Sequence, residues 1–411
     1  MVRTIKADVL VVGGGPAGLA MSLLLLRSGL SVALAEKSRS LEREYRGEIL
    51  QPGGQEILHR LGVLRGARER GAYEHDAFRL RQGDRVLLDA DYRRLPGPFN
   101  CLLSVPQAHM LTELLDACAR FDSFTLLSGT RIGALLHEGG RVVGATGGGA
   151  DGEREVRASV VVGADGRNSK VRRLAGIGTR RQEAFDQDVL WFKLPAPAVA
   201  GRRLVEVHRG AGAPVMVYHC HPDRLQVGWT LPHGGYREVA GRGVEHVREE
   251  IARAVPEHAE AVRAGIRSLK DVSLLDVFSA QADRWVADGL VLIGDSAHTH
   301  GPIGAQGINL ALQDAVLLHP LLVAAVRGGD TSAAALSQFE RRRRPVIAAV
   351  LKLQAMQGRM MLSSNPVATA VRPVMVRAVS HTPLYRKVLH RLAYGPDAPS
   401  VRADLFTAEP R

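Results

Sequence analysis

At roughly 100–200 residues per domain, 411 residues leave room for two or three lobes, and 45% hydrophobic with 23% charged residues excludes disordered, collagenous and coiled-coil chains. A net charge of +12 raises the question of nucleic acid, a membrane surface or an acidic partner. Yet lysine supplies seven of the 54 basic residues, the 47 arginines are scattered apart from Arg341 to Arg344, and 5% aromatics make no stacking platform, so no nucleic-acid partner is expected.

The N-terminus, Met1 to Asp8, runs straight into a strand and leaves no room for a signal peptide, so a cytoplasmic protein is expected. Val9 to Val12 reads as a buried parallel strand, followed by Gly13-Gly14-Gly15-Pro16-Ala17-Gly18, a helical stretch to Arg27 and a second strand, Ser31 to Ala35, stopping at Glu36. This is a βαβ start. Leu23 to Leu26 is cut off by Arg27, and no apolar run reaches the ~20 residues that cross a bilayer, so a membrane partner is not expected. Gly53 to Leu61 is helical, and Arg79 to Asp91 alternates as a hairpin turning at Gly83-Asp84. Pro96-Gly97-Pro98 breaks the chain before a helix around Met110 to Ala119. Two or three strands lie between Thr125 and Val162, joined by a turn at Gly147-Gly148-Gly149. From Asp188 to Thr230 β-rich runs alternate with Gly/Pro turns, which predicts an antiparallel sheet inserted into an α/β domain. Helical periodicity returns at Val244 to Ala264, and Leu290 to Ile293 is a further buried strand ending in Gly294-Asp295. Beyond Gly307 long helices follow, interrupted at Pro320, Pro345, Pro366 and Pro373. Cys101, Cys118 and Cys220 stand far apart and write neither a disulfide framework nor a zinc site.

Gly13, Gly15 and Gly18 fit G-x-G-x-x-G between a strand and a helix, and Glu36 ends the second strand 18 residues further on. The first glycine makes the tight turn, the second lets a pyrophosphate approach the backbone, and the third lets helix and strand pack closely. Glu36 is placed to accept hydrogen bonds from ribose hydroxyls. Flanked by strand, helix and acid, the fingerprint is a strong signal, but it does not separate NAD from FAD.

Two further motifs decide. Val160 to Val162 leads into Gly163-Ala164-Asp165-Gly166 and a helix start, and Leu292-Ile293-Gly294-Asp295-Ser296-Ala297-His298 repeats that shape before Gly301-Pro302-Ile303-Gly304-Ala305-Gln306-Gly307-Ile308-Asn309. With these three signatures in order, residues 5–345 resemble the class A flavoprotein monooxygenases, the aromatic hydroxylases with the fold of p-hydroxybenzoate hydroxylase, in their short form. The resemblance implies an α/β fold: a Rossmann-like FAD-binding domain from residues 1–75, 98–180 and 275–345, an inserted antiparallel-sheet substrate domain from 76–97 and 181–274, and a C-terminal helical segment over 346–411. It implies FAD held by Gly13, Gly15, Pro16, Ala17, Gly18, Glu36 and Lys37, by Arg46 near the pyrophosphate, and by Gln107, where many members carry an arginine. Asp165 would serve FAD packing and NAD(P)H binding. Gly294 and Asp295 would bind the ribityl chain, and Pro302, Gly304, Gln306, Gly307, Ile308 and Asn309 would supply donors and a helix start beside the flavin. No second fingerprint follows a strand, so NADH or NADPH would be a transient co-substrate.

In that family reduced flavin and O2 give a C4a-hydroperoxide that transfers one oxygen atom to an electron-rich ring, so the expectation is hydroxylation or epoxidation of an aromatic or polyketide-like small molecule. No catalytic triad is expected, because the cofactor carries the chemistry while the protein excludes water and orients the ring. Flavin-proximal candidates are Arg46, Pro302, His219 and Tyr218. On the strand from Val215 to His221, alternation puts Val215, Val217, His219 and His221 on one face and Met216, Tyr218 and Cys220 on the other, and either face could line the pocket. Trp191, Phe192 and Trp229 are candidate walls, His298 and His300 candidate flavin neighbours. His219 and His221 have no third ligand at a recognisable spacing, so no metal is expected. The residues from Pro366 to Gly395 read as a basic amphipathic segment that caps its own protein. The positive charge allows an acidic carrier protein delivering a tethered ring, and either a monomer or a dimer. Competing readings are a reductase of the same fold, a halogenase, whose W-x-W-x-I-P segment Trp191-Phe192-Lys193-Leu194-Pro195 does not match, and a non-catalytic FAD-binding redox protein.

Overall fold

Because Val9–Val12, Val160–Val162 and Leu290–Leu292 are apolar on both sides of the chain, they can be covered on both faces, and they form the buried centre of one sheet. The computed structural model describes residues 3–42, 48–150, 152–182, 187–196, 203–209, 213–362, 382–396 and 399–409. In the first sheet the strands run in the order Val286–Ala287, Leu290–Leu292, Gly152–Gly163, Arg3–Val12, Val32–Glu36, Phe124–Ser128. The register of Arg3–Val12 on Gly152–Gly163 is parallel, from Arg3 opposite Arg154 to Val12 opposite Gly163, so both strands end side by side. The helix Pro16–Arg27 buries Leu19, Leu23 and Leu26 on this sheet, beside the helix Gly307–Arg327.

Four strands, not two or three, fill the stretch after the helix Gln107–Ala119, since Arg131–Glu138 and Arg141–Gly149 form an antiparallel flap that leads back into Gly152–Gly163. Gly147, Gly148 and Gly149 end a strand rather than make the turn. Cβ atoms at Gly147 and Gly149 would lie 2.9 Å from the Arg131 carbonyl oxygen and 2.3 Å from that of Gly129, so close strand approach is what excludes a side chain there.

The second large sheet runs in the order Ser273–Leu275, Gln187–Pro195, Arg224–Pro232, Val215–Cys220, Leu204–His208, Ala77–Gln82, Arg85–Asp91. Its last two strands are the expected hairpin. One face, with Leu190, Phe192, Val215, Val217 and Trp229, is covered by the helices Val244–Ala254 and Ala259–Gly265. These are two helices where one was expected, because Val255 precedes Pro256 and leaves the helical region (φ −129°, ψ 70°). The other face, with Val189, Trp191, Val205, Tyr218 and Cys220, packs with Ile49 and Tyr92 and with Leu389 and Ala393 of the helix Pro383–Tyr394.

The long helices are not interrupted at Pro320 or Pro345: Gly307–Arg327 and Ala333–Leu362 run through them. An interior proline costs about 3 kcal/mol. Burial of Leu310, Leu312, Leu318 and Leu322, at about 1.5–3 kcal/mol each, outweighs that in the first helix. Ile303–Arg327 is also long and apolar enough to cross a membrane, which the reading of short apolar runs overlooked; 78% of its most apolar window is buried inside the protein. Pro366 and Pro373 lie outside the described residues. The described part of the C-terminal segment caps the protein: Tyr385 donates its hydroxyl to the Asp89 carbonyl at 2.9 Å, and the Leu392 carbonyl accepts from Gln306 at 2.9 Å.

Candidate active site

The fingerprint turn sits at the carboxyl end of the first strand, and its geometry admits only glycine at two points. Gly13 has φ +109°, and a Cβ there would lie 2.4 Å from the Ala164 carbonyl oxygen. A Cβ on Gly18 would lie 1.9 Å from the Gly13 carbonyl oxygen. The helix that follows starts at Pro16 with Gly15 as its cap. No side chain caps its N-terminal N–H groups and no acid lies in its first turn, so the positive end of the helix dipole is left for an anion. Ala17 is buried at the first turn, while Lys37, just past the second strand, is exposed. Glu36 is buried and folded back on the turn, where one carboxylate oxygen accepts the Gly14 N–H at 2.6 Å and the other the Ser38 N–H at 2.9 Å. A carboxylate offers about four lone-pair sites, so room remains for hydroxyl donors.

The two later motifs close on this turn. Asp165 lies against Gly13, its Cα 2.8 Å from where a Gly13 Cβ would be, and Gly294 (φ +58°) comes within 3.3 Å of the Ala17 methyl by the same construction. Three stretches separated by more than a hundred residues therefore meet at one sheet edge. Asp165 is mainly a structural clasp. It accepts from the Ser169 hydroxyl at 2.5 Å, the Ser296 hydroxyl at 3.1 Å, and the Lys170 and Val171 N–H groups at 2.6 and 3.1 Å. Asp295 points the other way, with its side chain 30% exposed and 3.9 Å from the Arg167 guanidinium. Gln107 is buried at the first position of its helix.

From Pro302 the loop makes a left-handed excursion through Gly304 (φ +75°) and Ala305 (φ +49°), which for alanine costs about 1–2 kcal/mol. Side-chain amides hold it there. Gln51 donates to the Gly304 carbonyl at 2.8 Å and Gln354 to the Ile303 carbonyl at 2.7 Å, while Asn309 accepts the Gln51 N–H at 3.0 Å and donates to the Ala305 carbonyl at 2.7 Å. The helix then begins at an exposed Gly307, where an added Cβ would meet nothing within 4 Å; Ile308 beside it is half-buried. A helix start and a strained loop facing open space make a cradle that fits a flat, polar-edged group.

Beneath the cradle lies a buried network of which the sequence reading named His298 and His300 but neither Asp314 nor Arg343. Asp314 accepts from Arg343 at 2.7 Å, His298 at 2.6 Å and the Gly294 N–H at 2.8 Å. Burial alone would raise its carboxyl, but His298, Arg343 and these hydrogen bonds outweigh burial and hold it at about 2. His300, 3.2 Å from His298, is pushed down to about 3 by burial and its neighbours, and so stays neutral. A lone acid in the apolar helix Gly307–Arg327 was the signal available.

The two faces of the inserted sheet meet different neighbours. Trp191, Tyr218 and Cys220 share the face that packs with Ile49 and, at its margin, with Ala305 of the loop. Gly228 makes room for Trp191, since a Cβ there would lie 2.8 Å from the indole. Burial, with Glu48 next, raises the Tyr218 hydroxyl well above its usual value. Two-residue alternation puts His219 with Val217 on the opposite face, where it lines a cavity of about 540 Å³ bounded by Glu206, Glu257 and His258, which Tyr218 also touches and to which none of the glycine turns contributes. Phe192 and Trp229 are likewise core under the helices. Arg46 lies outside the described residues.

Three glycine turns converging on one parallel-sheet edge, an anion-ready helix start and a sheltered apolar face define a dinucleotide-binding flavoprotein. The chain belongs to the FAD binding domain family, whose model matches residues 6–354. It is 58% identical over 400 residues to 6-methylpretetramide 4-monooxygenase from Streptomyces rimosus, covering 97% of this chain and 95% of that protein. The crystal structure of P. aeruginosa PqsL in complex with 2-aminobenzoylacetate is similar at a TM-score of 0.75 and 25% identity, over 92% of this chain and all of that one. p-Nitrophenol 4-monooxygenase PnpA from Pseudomonas putida DLL-E4, at 20% identity, a TM-score of 0.77, 94% of this chain and 97% of that one, shares the fold. The protein is an FAD-dependent monooxygenase using O2 and NADH or NADPH on a small molecule.

Proposed function

We propose that this enzyme hydroxylates a fused-ring phenolic polyketide of the 6-methylpretetramide type, working in the cytoplasm. The observation that carries the reading is the meeting of the three turns beside the Trp191–Tyr218 face, together with 58% identity to a monooxygenase named for such a substrate. In this reading residues 1–75, 98–180 and 275–345 form the cofactor lobe, and 76–97 with 181–274 form the substrate lobe. Gly13, Gly15 and the start of Pro16–Arg27 receive the pyrophosphate, Glu36 the ribose hydroxyls and Asp295 the ribityl chain.

Bound FAD supplies the reduction of O2 and the delivery of one oxygen atom. The protein's own part is electrostatic and steric. N–H groups of the loop Gly304 to Gly307 and the positive end of Gly307–Arg327 favour negative charge on the ring edge they face. Trp191 and Tyr218 press the substrate ring flat and exclude water from the transfer. Asp165 keeps two cofactor loops in register and touches no substrate.

A panel of phenolic acids, fused-ring phenols and quinones, scored for stimulated NAD(P)H oxidation and product mass, tests the proposal. Fused-ring phenols are expected to stimulate oxidation and gain one oxygen. Stimulation by single-ring acids alone would reject the substrate class.

A further inference from the structure

The sheet face toward the cofactor loop carries a sheltered ion pair between Lys193 and Glu48. Lys193, one of seven lysines in a chain that otherwise relies on arginine, follows Trp191 on the same face of Gln187–Pro195. Its ammonium lies 2.6 Å from Oε1 of Glu48, with side chains 23% and 10% exposed. Glu48 comes from the other lobe. Its carbonyl accepts the Val105 N–H at 2.9 Å, which fixes the backbone. Three residues later Gln51 grips the Gly304 carbonyl, so the segment bearing Glu48 runs from the Trp191 face to the cofactor loop.

Among the described residues nothing donates a hydrogen bond to the second carboxylate oxygen, Oε2, which is buried. A buried acceptor on a charged group left unpaired is costly, and such groups in native proteins nearly always have a partner. The ion pair accounts for Oε1; it leaves Oε2 without a donor among the described residues. Tyr218 and Cys220 feel the Glu48 charge, so the carboxylate lies beside the ring-binding face.

We propose that Glu48 and Lys193 read a hydroxyl of the substrate: an enol or phenol O–H next to the carbon to be oxidised donates to Glu48 Oε2, while Lys193 holds Oε1 in place. This rests on the phenolic substrate reading above. As a ring π pair forms the bond to one O2-derived oxygen, the O–O bond of the oxygen donor that bound FAD and NAD(P)H would supply breaks, its electron pair leaving on the second oxygen, which ends as water; the substrate O–H bond breaks with it, that electron pair becomes a ring C=O, and the proton passes to Glu48 Oε2. The ring C–H proton then leaves to solvent, the ketone oxygen takes its proton back from Glu48, and the carboxylate is restored. Glu48 is the catalytic residue and Lys193 its positioning residue.

The test uses holoenzyme and two probes, 1-naphthol and its O-methyl ether, with binding read from perturbation of the FAD fluorescence. Wild type should prefer the naphthol about ten- to a hundredfold, the worth of one hydrogen bond to a charged acceptor. Glu48→Gln should cut that preference below about threefold, lower kcat on fused-ring phenols about 100-fold and remove the acidic limb of the pH profile. Lys193→Met should raise KM and erode the preference, and Lys193→Arg should restore both. FAD content per chain and thermal midpoint establish that each variant folds; if Glu48→Gln does not, Glu48→Asp should keep the limb with weaker discrimination. Equal affinity for both probes in wild type, or a folded Glu48→Gln with wild-type discrimination and kcat, overturns the assignment while leaving the monooxygenase reading intact. A wild type that oxidises no phenol overturns the reading beneath it as well.

Discussion

Gly18 and Gly307 are both glycines of the cofactor site, yet the protein excludes a methyl group at one and leaves space for it at the other. At Gly18 the clash is with the Gly13 backbone, so Gly18→Ala should destabilise the apoprotein and abolish FAD retention. At Gly307 no described residue lies within 4 Å of an added Cβ, so Gly307→Ala should leave the apoprotein unchanged or up to about 1 kcal/mol more stable. It should nevertheless weaken FAD binding at least tenfold if, as proposed, the cofactor lies in that open space. Fluorescence titration of FAD into apoprotein and urea unfolding check both; an unchanged FAD affinity in Gly307→Ala would show that the cofactor lies elsewhere. The fingerprint was legible because its backbone geometry forbids other residues. Asp165 was legible as a motif but not as a clasp, since its partners Ser169 and Ser296 are known only once the loops meet. Glu48 and Lys193 were silent, because a pair separated by 145 positions has no linear signature.

Between elements, the junction that decides the shape of the cradle is the one between Gly307–Arg327 and Ala333–Leu362. Leu336, Phe339, Arg343, Ile347 and Leu351 recur at helical spacing on the buried side of the second helix. Arg343 thus stands in an apolar stripe, paired with Asp314 of the first helix at 2.7 Å. The run Arg341 to Arg344 reads as a solvated charge cluster until that spacing is counted, after which one of its four members is seen to belong inside. Removing one partner of a buried pair typically costs about 3–5 kcal/mol, because the other charge stays behind. Arg343→Met should lose about that much in urea unfolding, and Arg341→Met, on the exposed side, less than about 0.5 kcal/mol. Equal losses would mean that the Asp314 network holds nothing together. The prolines at 320 and 345 mislead for a related reason: local chain preference is outweighed by burial that a single segment does not reveal.

At the scale of the whole molecule, three of the four buried imidazoles among the described residues stand at separate junctions. Burial is the leading cause that pushes His75 and His319 down to about 4 and His300 to about 3, so all three fold neutral. The unfolded chain binds protons near 6.5 while the native chain refuses them, so stability is full above that value and falls with pH toward 4. At about 1.4 kcal/mol per pH unit for each group, the thermal midpoint should drop steeply between pH 7 and pH 5; a flat midpoint there would contradict the burial of these rings. That the three motif-bearing strands share one sheet was legible because each carries its own turn motif. The choice of sheet face was not, because alternation sorts Tyr218 from His219 without saying which side the helices cover. If the three turns hold FAD against that face so that one atom of O2 reaches an aromatic ring, turnover of a fused-ring phenol under oxygen-18 gas, with NAD(P)H and the purified flavoprotein, should place one labelled oxygen in each product molecule and consume one NAD(P)H for each. Product without label, or protein that neither carries nor takes up flavin, would show that the turns serve another purpose.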